Sequence, residues 1–210
     1  MTEATAYRPA RPNLTSEEPQ HLSRGKVGIS CLIITESFFF VCFIVAYLYY
    51  IVILQVDDGG PDPVELFRAD IMVYIASVTL LSSSVTVVLA SRALARGAHD
   101  KFRSWLTITI LLGGFFLFAT ILEWMHLIGD LGMWMDTSTL GTCFFSLVGF
   151  HALHVVVGLS ALSLCLLISF MGRLPQKQAE RFEVLSWYWH FVDVVWLFVF
   201  TTVYILRIYT

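Results

Sequence analysis

Long apolar stretches alternate with short polar connections along the chain, and the length of the stretches decides the fold class. Five of them fall at roughly 27–54, 70–91, 104–128, 139–171 and 185–207. Each meets or exceeds the ~20 residues a helix needs to cross ~30 Å of hydrocarbon. A buried helix of a soluble protein would show a polar outer face at 3.6-residue spacing. The run Ile108-Thr109-Ile110-Leu111-Leu112-Gly113-Gly114-Phe115-Phe116-Leu117-Phe118 has no such face. The pattern therefore predicts an all-α integral membrane protein, a bundle of five transmembrane helices within residues 25–210. The fourth run is long for a bilayer and is expected to tilt or to extend into water. Residues 1–24 carry Pro9, Pro12 and Pro19 among mixed charges, and are expected to form a loosely docked polar tail.

Composition agrees. Of 210 residues, 57% are hydrophobic and 14% charged, against about 25% charged in soluble domains; the mean hydropathy is +0.75. The net charge of -3 comes with no basic patch, so no nucleic-acid partner is expected. Cys31, Cys42, Cys143 and Cys165 lie inside apolar runs without CxxC spacing and read as small buried residues. The first apolar run is far longer than a signal-peptide core, so the spans themselves are expected to direct insertion.

Loop charges predict the orientation. Arg24 and Lys26 precede the first span; Arg92, Arg96, Lys101 and Arg103 join the second to the third; Arg173, Lys177 and Arg181 join the fourth to the fifth. Residues 55–69 instead hold Arg68 against Asp57, Asp58, Asp62 and Glu65, residues 129–138 hold no Lys or Arg, and Arg207 alone follows the last span. The positive-inside rule then puts the N-terminus in the cytoplasm and the C-terminus outside. Trp105, Trp124, Trp134, Trp187 and Trp189 sit near span ends and read as an aromatic belt.

The chemistry is concentrated in a few intramembrane groups: Glu36, Glu123 and Asp193, with His126, His151, His154 and His190. Such groups cost ~2.5–3.5 kcal/mol or more on insertion scales, so they must face protein, water or headgroups. Span four aligns His151, His154, Gly158, Ala161 and Cys165 on one face; span three aligns Thr109, Gly113, Phe116, Thr120 and Glu123; His190 and Asp193 share a face of span five. Counting ~1.5 Å per residue from flanking basic residues puts Glu36, His190 and Asp193 roughly 15 Å from the inner edge, and Glu123, His126, His151 and His154 roughly 28–35 Å from it. Three readings stay open for this polar seam. It holds helices in register; it handles protons or touches lipid headgroups; or it binds metal or haem, since Glu123-x-x-His126 and His151-x-x-His154 place groups at i, i+3 as di-iron bundles do. The metal reading makes the chain a membrane oxidoreductase using the Glu/His seam. A transporter would instead show inverted repeats, and none is visible between spans.

The last span, Trp187-Tyr188-Trp189-His190-Phe191-Val192-Asp193-Val194-Val195-Trp196-Leu197-Phe198, resembles almost letter for letter the final helix of subunit III of haem-copper oxidases, both cytochrome c and quinol oxidases. Phe150-His151-Ala152-Leu153-His154 is similar to that family's Gly-Phe-His-Gly-Leu-His segment, with Ala152 in place of a frequent Gly. Thr35-Glu36-Ser37 is similar to its Ser-Glu segment, and Glu123-Trp124 stands where Glu-Tyr is usual. The resemblance covers roughly residues 22–208. Longer members have seven helices whose first two form a lipid-filled cleft with the rest; this chain resembles the short five-helix bacterial form. The resemblance implies an accessory subunit with no catalytic centre of its own in a respiratory, proton-translocating oxidase. Haem and copper would sit in partner subunits, with none in this chain. Subunit I would be the main partner, with subunit II and membrane lipids beside it. It leaves room for a bound phospholipid and a respiratory supercomplex. It also implies a multi-pass protein of the bacterial inner membrane, and a donor, cytochrome c or quinol, set by other subunits. Glu36 with His190 and Asp193 is expected to stabilise the fold and its contact with subunit I.

Overall fold

The computed structural model describes residues 24–53, 71–130, 132–136, 138–172 and 179–206. The tail at 1–23, the acidic loop at 55–69, Arg173, Lys177 and Arg207 lie outside the described residues.

Five helices follow one another: α1 (Arg24–Tyr47), α2 (Ile71–Ala95), α3 (His99–Gly129), α4 (Thr139–Phe170) and α5 (Ala179–Phe200). All five are long and apolar enough to cross a membrane, and the described residues contain no strand. α1 and α5 each run on into a wider π-helical turn, Leu48–Ile53 and Thr201–Ile205. Within a membrane the backbone must satisfy its own hydrogen bonds, which is why the described parts of the apolar runs are almost entirely helical.

Local sequence sets the ends. α2 closes on Gly97, whose φ of 73° lets its N–H reach Leu94 O and that of Ala98 reach Ala93 O, both at 2.9 Å. This left-handed closure favours glycine and turns the chain directly into α3. Ser138 caps α4 by accepting the Gly141 N–H at 3.0 Å. α5 begins about six residues before its apolar run because its first turns are amphipathic. Phe182 is buried against Phe102, centroids 4.9 Å apart, while Glu183 meets Lys26 at 3.3 Å.

α2 and α3 form a tight hairpin, α5 touches α1, α2 and α4, and α3 also packs on α4. α5 is therefore the hub: 56% of its apolar window is buried, against 6% for α1. Arg103 at the start of α3 donates to Ser169 O at 2.6 Å near the end of α4. With the Lys26–Glu183 pair, this sets Lys26 and Arg103 at one end of the bundle.

The bundle turns large apolar side chains outward and small polar ones inward. Phe38, Leu111, Val78 and Phe118 are exposed, whereas Ser77, Ser83, Thr86, Thr109 and Thr120 are buried. Interfaces between membrane helices favour small and hydroxylated residues because close approach and hydrogen bonds, not water exclusion, drive them together. The stripe expected on α3 faces inward, with Thr109, Gly113, Phe116 and Thr120 buried. Two expectations fail. Cys31 and Cys42 face outward from α1, because an apolar run is hidden from water without being hidden inside protein. Trp189 is not part of an aromatic belt: it is fully buried, since Gly113 and Gly158 lack the side chains that would fill its place.

Candidate functional site

The seven ionisable groups predicted to form one seam occupy five separate places. Glu36 of α1 meets His154 of α4, with Oε2 and Nε2 3.3 Å apart. His154 Nδ1 lies 2.7 Å from Phe150 O. A carbonyl only accepts, so Nδ1 carries a proton. The bond to Glu36 then requires one further proton, shared between imidazole and carboxyl, and the pair is neutral overall wherever that proton sits. Phe40 covers the His154 ring at 5.1 Å, and Tyr188 donates to His154 O at 3.2 Å.

His151, one turn away on α4, is fully buried in an aromatic box. Its ring stacks on Trp196 at 4.9 Å, with Phe116 at 5.8 Å and Phe40 at 6.5 Å. Neither ring nitrogen has a hydrogen-bond partner among the described residues.

Asp193 and His190 of α5 meet on Ser84 of α2. Ser84 Oγ is 2.9 Å from His190 Nδ1 and donates to Asp193 Oδ2. Asp193 is 2% exposed, and its Oδ1 has no partner among the described residues. At the far end of the bundle Tyr204 donates to Glu123 Oε1 at 2.7 Å. His126 lies outside the seam: it is exposed and pairs with Asp130 at 2.6 Å.

The expected grouping of Glu36 with His190 and Asp193 is thus corrected: Glu36 pairs with His154. The two were assigned depths more than 10 Å apart by counting from basic residues. That count fails because charges in different connections mark no common plane. On α4, for example, the Arg103 side chain of α3 reaches Ser169, four positions before Arg173 in the sequence.

The α2 residues Ser77, Ser83, Ser84 and Thr86 were not singled out from the sequence. Trp189 Nε1 donates to Ser83 Oγ at 2.8 Å and Trp196 Nε1 to Ser77 Oγ at 3.0 Å. Trp189 and Trp196 stand seven residues apart on α5, and their serine acceptors six apart on the antiparallel α2. Thr86 and Thr109 join α2 to α3 at 2.7 Å. The signals were present: a heptad-spaced tryptophan pair, and the run Ser82-Ser83-Ser84 inside an apolar helix.

The arrangement can clamp helices and hold protons. Among the described residues no three of His, Cys, Asp or Glu converge to hold a metal ion. An apolar cleft of about 250 Å³ between α1 and α5, lined by Phe40, Ile44, Phe191, Val195 and Phe198, is suited to hydrocarbon.

Comparison with known proteins adds a family match. The family model of cytochrome c oxidase subunit III matches residues 14–208. Cytochrome c oxidase subunit 3 of Bacillus subtilis (strain 168) is 37% identical over 166 residues, 79% of this chain and 80% of the relative. The protein of the same name from Corynebacterium diphtheriae is 40% identical over 133 residues, 63% of this chain and 64% of the relative. That of Scyliorhinus canicula is 32% identical over 185 residues, 85% of this chain and 68% of the relative.

Proposed function

We propose that this chain, which belongs to the cytochrome c oxidase subunit III family, works as an intramembrane scaffold that packs on the catalytic subunit I and sustains proton-coupled oxygen reduction there. It is subunit III of a haem-copper oxidase and associates with the core subunits of that complex. Its five spanning helices and bacterial relatives make it a multi-pass protein of a bacterial membrane.

One observation carries the scaffold reading. Apart from His151, each ionisable group of the predicted seam is bonded to a neighbouring side chain: Glu36 to His154, His190 and Asp193 to Ser84, Glu123 to Tyr204, His126 to Asp130. Four of these five contacts join different helices, so the polar groups fix the positions of rigid rods relative to one another. That is what a docking surface in lipid requires, since helix association there depends on packing and hydrogen bonds. On this reading the seam is structural or proton-linked, haem and copper sit in the partner subunits, and the basic end of the bundle faces the cytoplasm. Subunit II and membrane lipids are neighbours in the same assembly.

The test is purification of the tagged chain in mild detergent. Haem-bearing subunits should accompany it, and the chain stripped of them by harsher detergent should be colourless. Iron or copper bound to the isolated chain at about one per molecule would overturn the reading.

A further inference from the structure

The serines of α2 are used in two different ways. Ser82 and Ser83 donate to Val78 O and Leu80 O of their own helix, and Ser77 donates to Val73 O, as serines in apolar helices commonly do. Ser77 and Ser83 then accept the indole N–H groups of Trp196 and Trp189. Ser84 instead turns to α5, where its Oγ stands between His190 Nδ1 and Asp193 Oδ2.

A hydroxyl has one proton to donate and lone pairs to accept with. Set between an imidazole nitrogen and a carboxyl oxygen, it can be used in two patterns. In one, protonated Nδ1 of His190 donates to Ser84, and Ser84 donates to the Asp193 carboxylate. In the other, the Asp193 carboxyl O–H donates to Ser84, and Ser84 donates to an unprotonated Nδ1. We propose that Ser84 is a proton relay joining Asp193 to His190, so that the three residues form a proton-transfer site inside the subunit. Passing from the second pattern to the first breaks the Asp193 O–H bond as Ser84 takes that proton. The original Ser84 O–H bond breaks as the Nδ1–H bond of His190 forms. A carboxyl and an imidazole become a carboxylate and an imidazolium, serine is regenerated, and nothing else is consumed.

The two ends differ in a way that gives the relay a direction. Asp193 is almost fully buried, and its Oδ1 has no partner among the described residues, so a negative charge there is poorly compensated and the proton has reason to reside at that end. His190 is half-buried, with Nε2 3.4 Å from Ser186 Oγ, and is the end through which protons exchange with the surroundings. The Glu36–His154 pair is closed on itself and does not join these contacts. The relay rests on the Ser84 contacts and is independent of the scaffold role.

Infrared spectroscopy of the intact oxidase tests it through hydrogen–deuterium exchange of the Asp193 carboxyl band, identified by its loss in Asp193→Asn. Ser84→Ala should slow that exchange by roughly a hundred-fold, the size expected for removing one positioned proton-transfer group, and Ser84→Thr should restore it. A serine that merely fills space would change stability and leave the exchange rate of this band alone. Should Ser84→Ala fail to assemble, His190→Gln in the same measurement decides, because it removes the far terminus while keeping bulk. Unchanged exchange in either variant, or no carboxyl band that disappears with Asp193, would overturn the relay.

Discussion

Glu36 and His154 join α1 to α4 through a bond of 3.3 Å that needs a shared proton, because the other nitrogen of the imidazole is committed to Phe150 O. α1 is the helix least enclosed by its own chain, so this contact bears on where α1 stands.

Replacing Glu36 with Ala removes that tie and leaves the haem centres untouched. Interhelical hydrogen bonds in membranes contribute ~0.6 kcal/mol on average and up to ~1.7, enough to loosen a subunit without unfolding it. Haem absorbance spectra should be unchanged, while the fraction of subunit retained through purification falls and turnover decays faster. Lost haem signal with the subunit still bound would contradict this.

Gly158 lets α4 approach α5. A Cβ there would stand 2.9 Å from two ring carbons of Trp189, and the indole is held by Gly113 on its other side. Gly158→Ala should destabilise the subunit by ~1–3 kcal/mol through overpacking, read as a lower melting temperature of the purified complex. An unchanged transition would show that the indole has room to move.

The Trp189–Ser83 bond should appear as coupling in a double-mutant cycle. Trp189→Phe and Ser83→Ala each cost stability, the first partly through lost packing. Together they should fall short of the sum by about 0.5–1.5 kcal/mol. Simple additivity in the unfolding free energies would mean that the indole acts through bulk alone.

His151 gives the sharpest contrast between a structural seam and a metal site. It is buried with both nitrogens unpartnered, so His151→Leu removes a polar group whose burial is costly while losing a stack on Trp196. These effects are similar in size, ~1–3 against ~0.5–1.5 kcal/mol, and the variant should be neutral to mildly stabilised. Iron and copper in the complex should match the wild type by elemental analysis. Metal lost with the histidine would restore the metal-site reading.

Much of the inner surface was legible in the sequence. The α3 stripe of Thr109, Gly113, Phe116 and Thr120 follows from helical spacing and from the need to hide polar groups from lipid. What could not be read was which group meets which. Glu36 was expected beside Asp193 and stands beside His154, and Ser84, one serine in a run of three, was not distinguished from Ser82 and Ser83.

The sequence by itself determined that this chain forms five membrane helices, and it carried the family resemblance in the motifs around Glu36, His151 and Asp193. Those features depend on residue type and on spacing along a single helix. The partners of the buried groups, the burial of Trp189 between two glycines and the turning of Ser84 toward α5 were decided by the tertiary structure. They depend on the rotation and relative height of separate helices, which are set by close packing between faces distant in sequence and leave no local periodic mark.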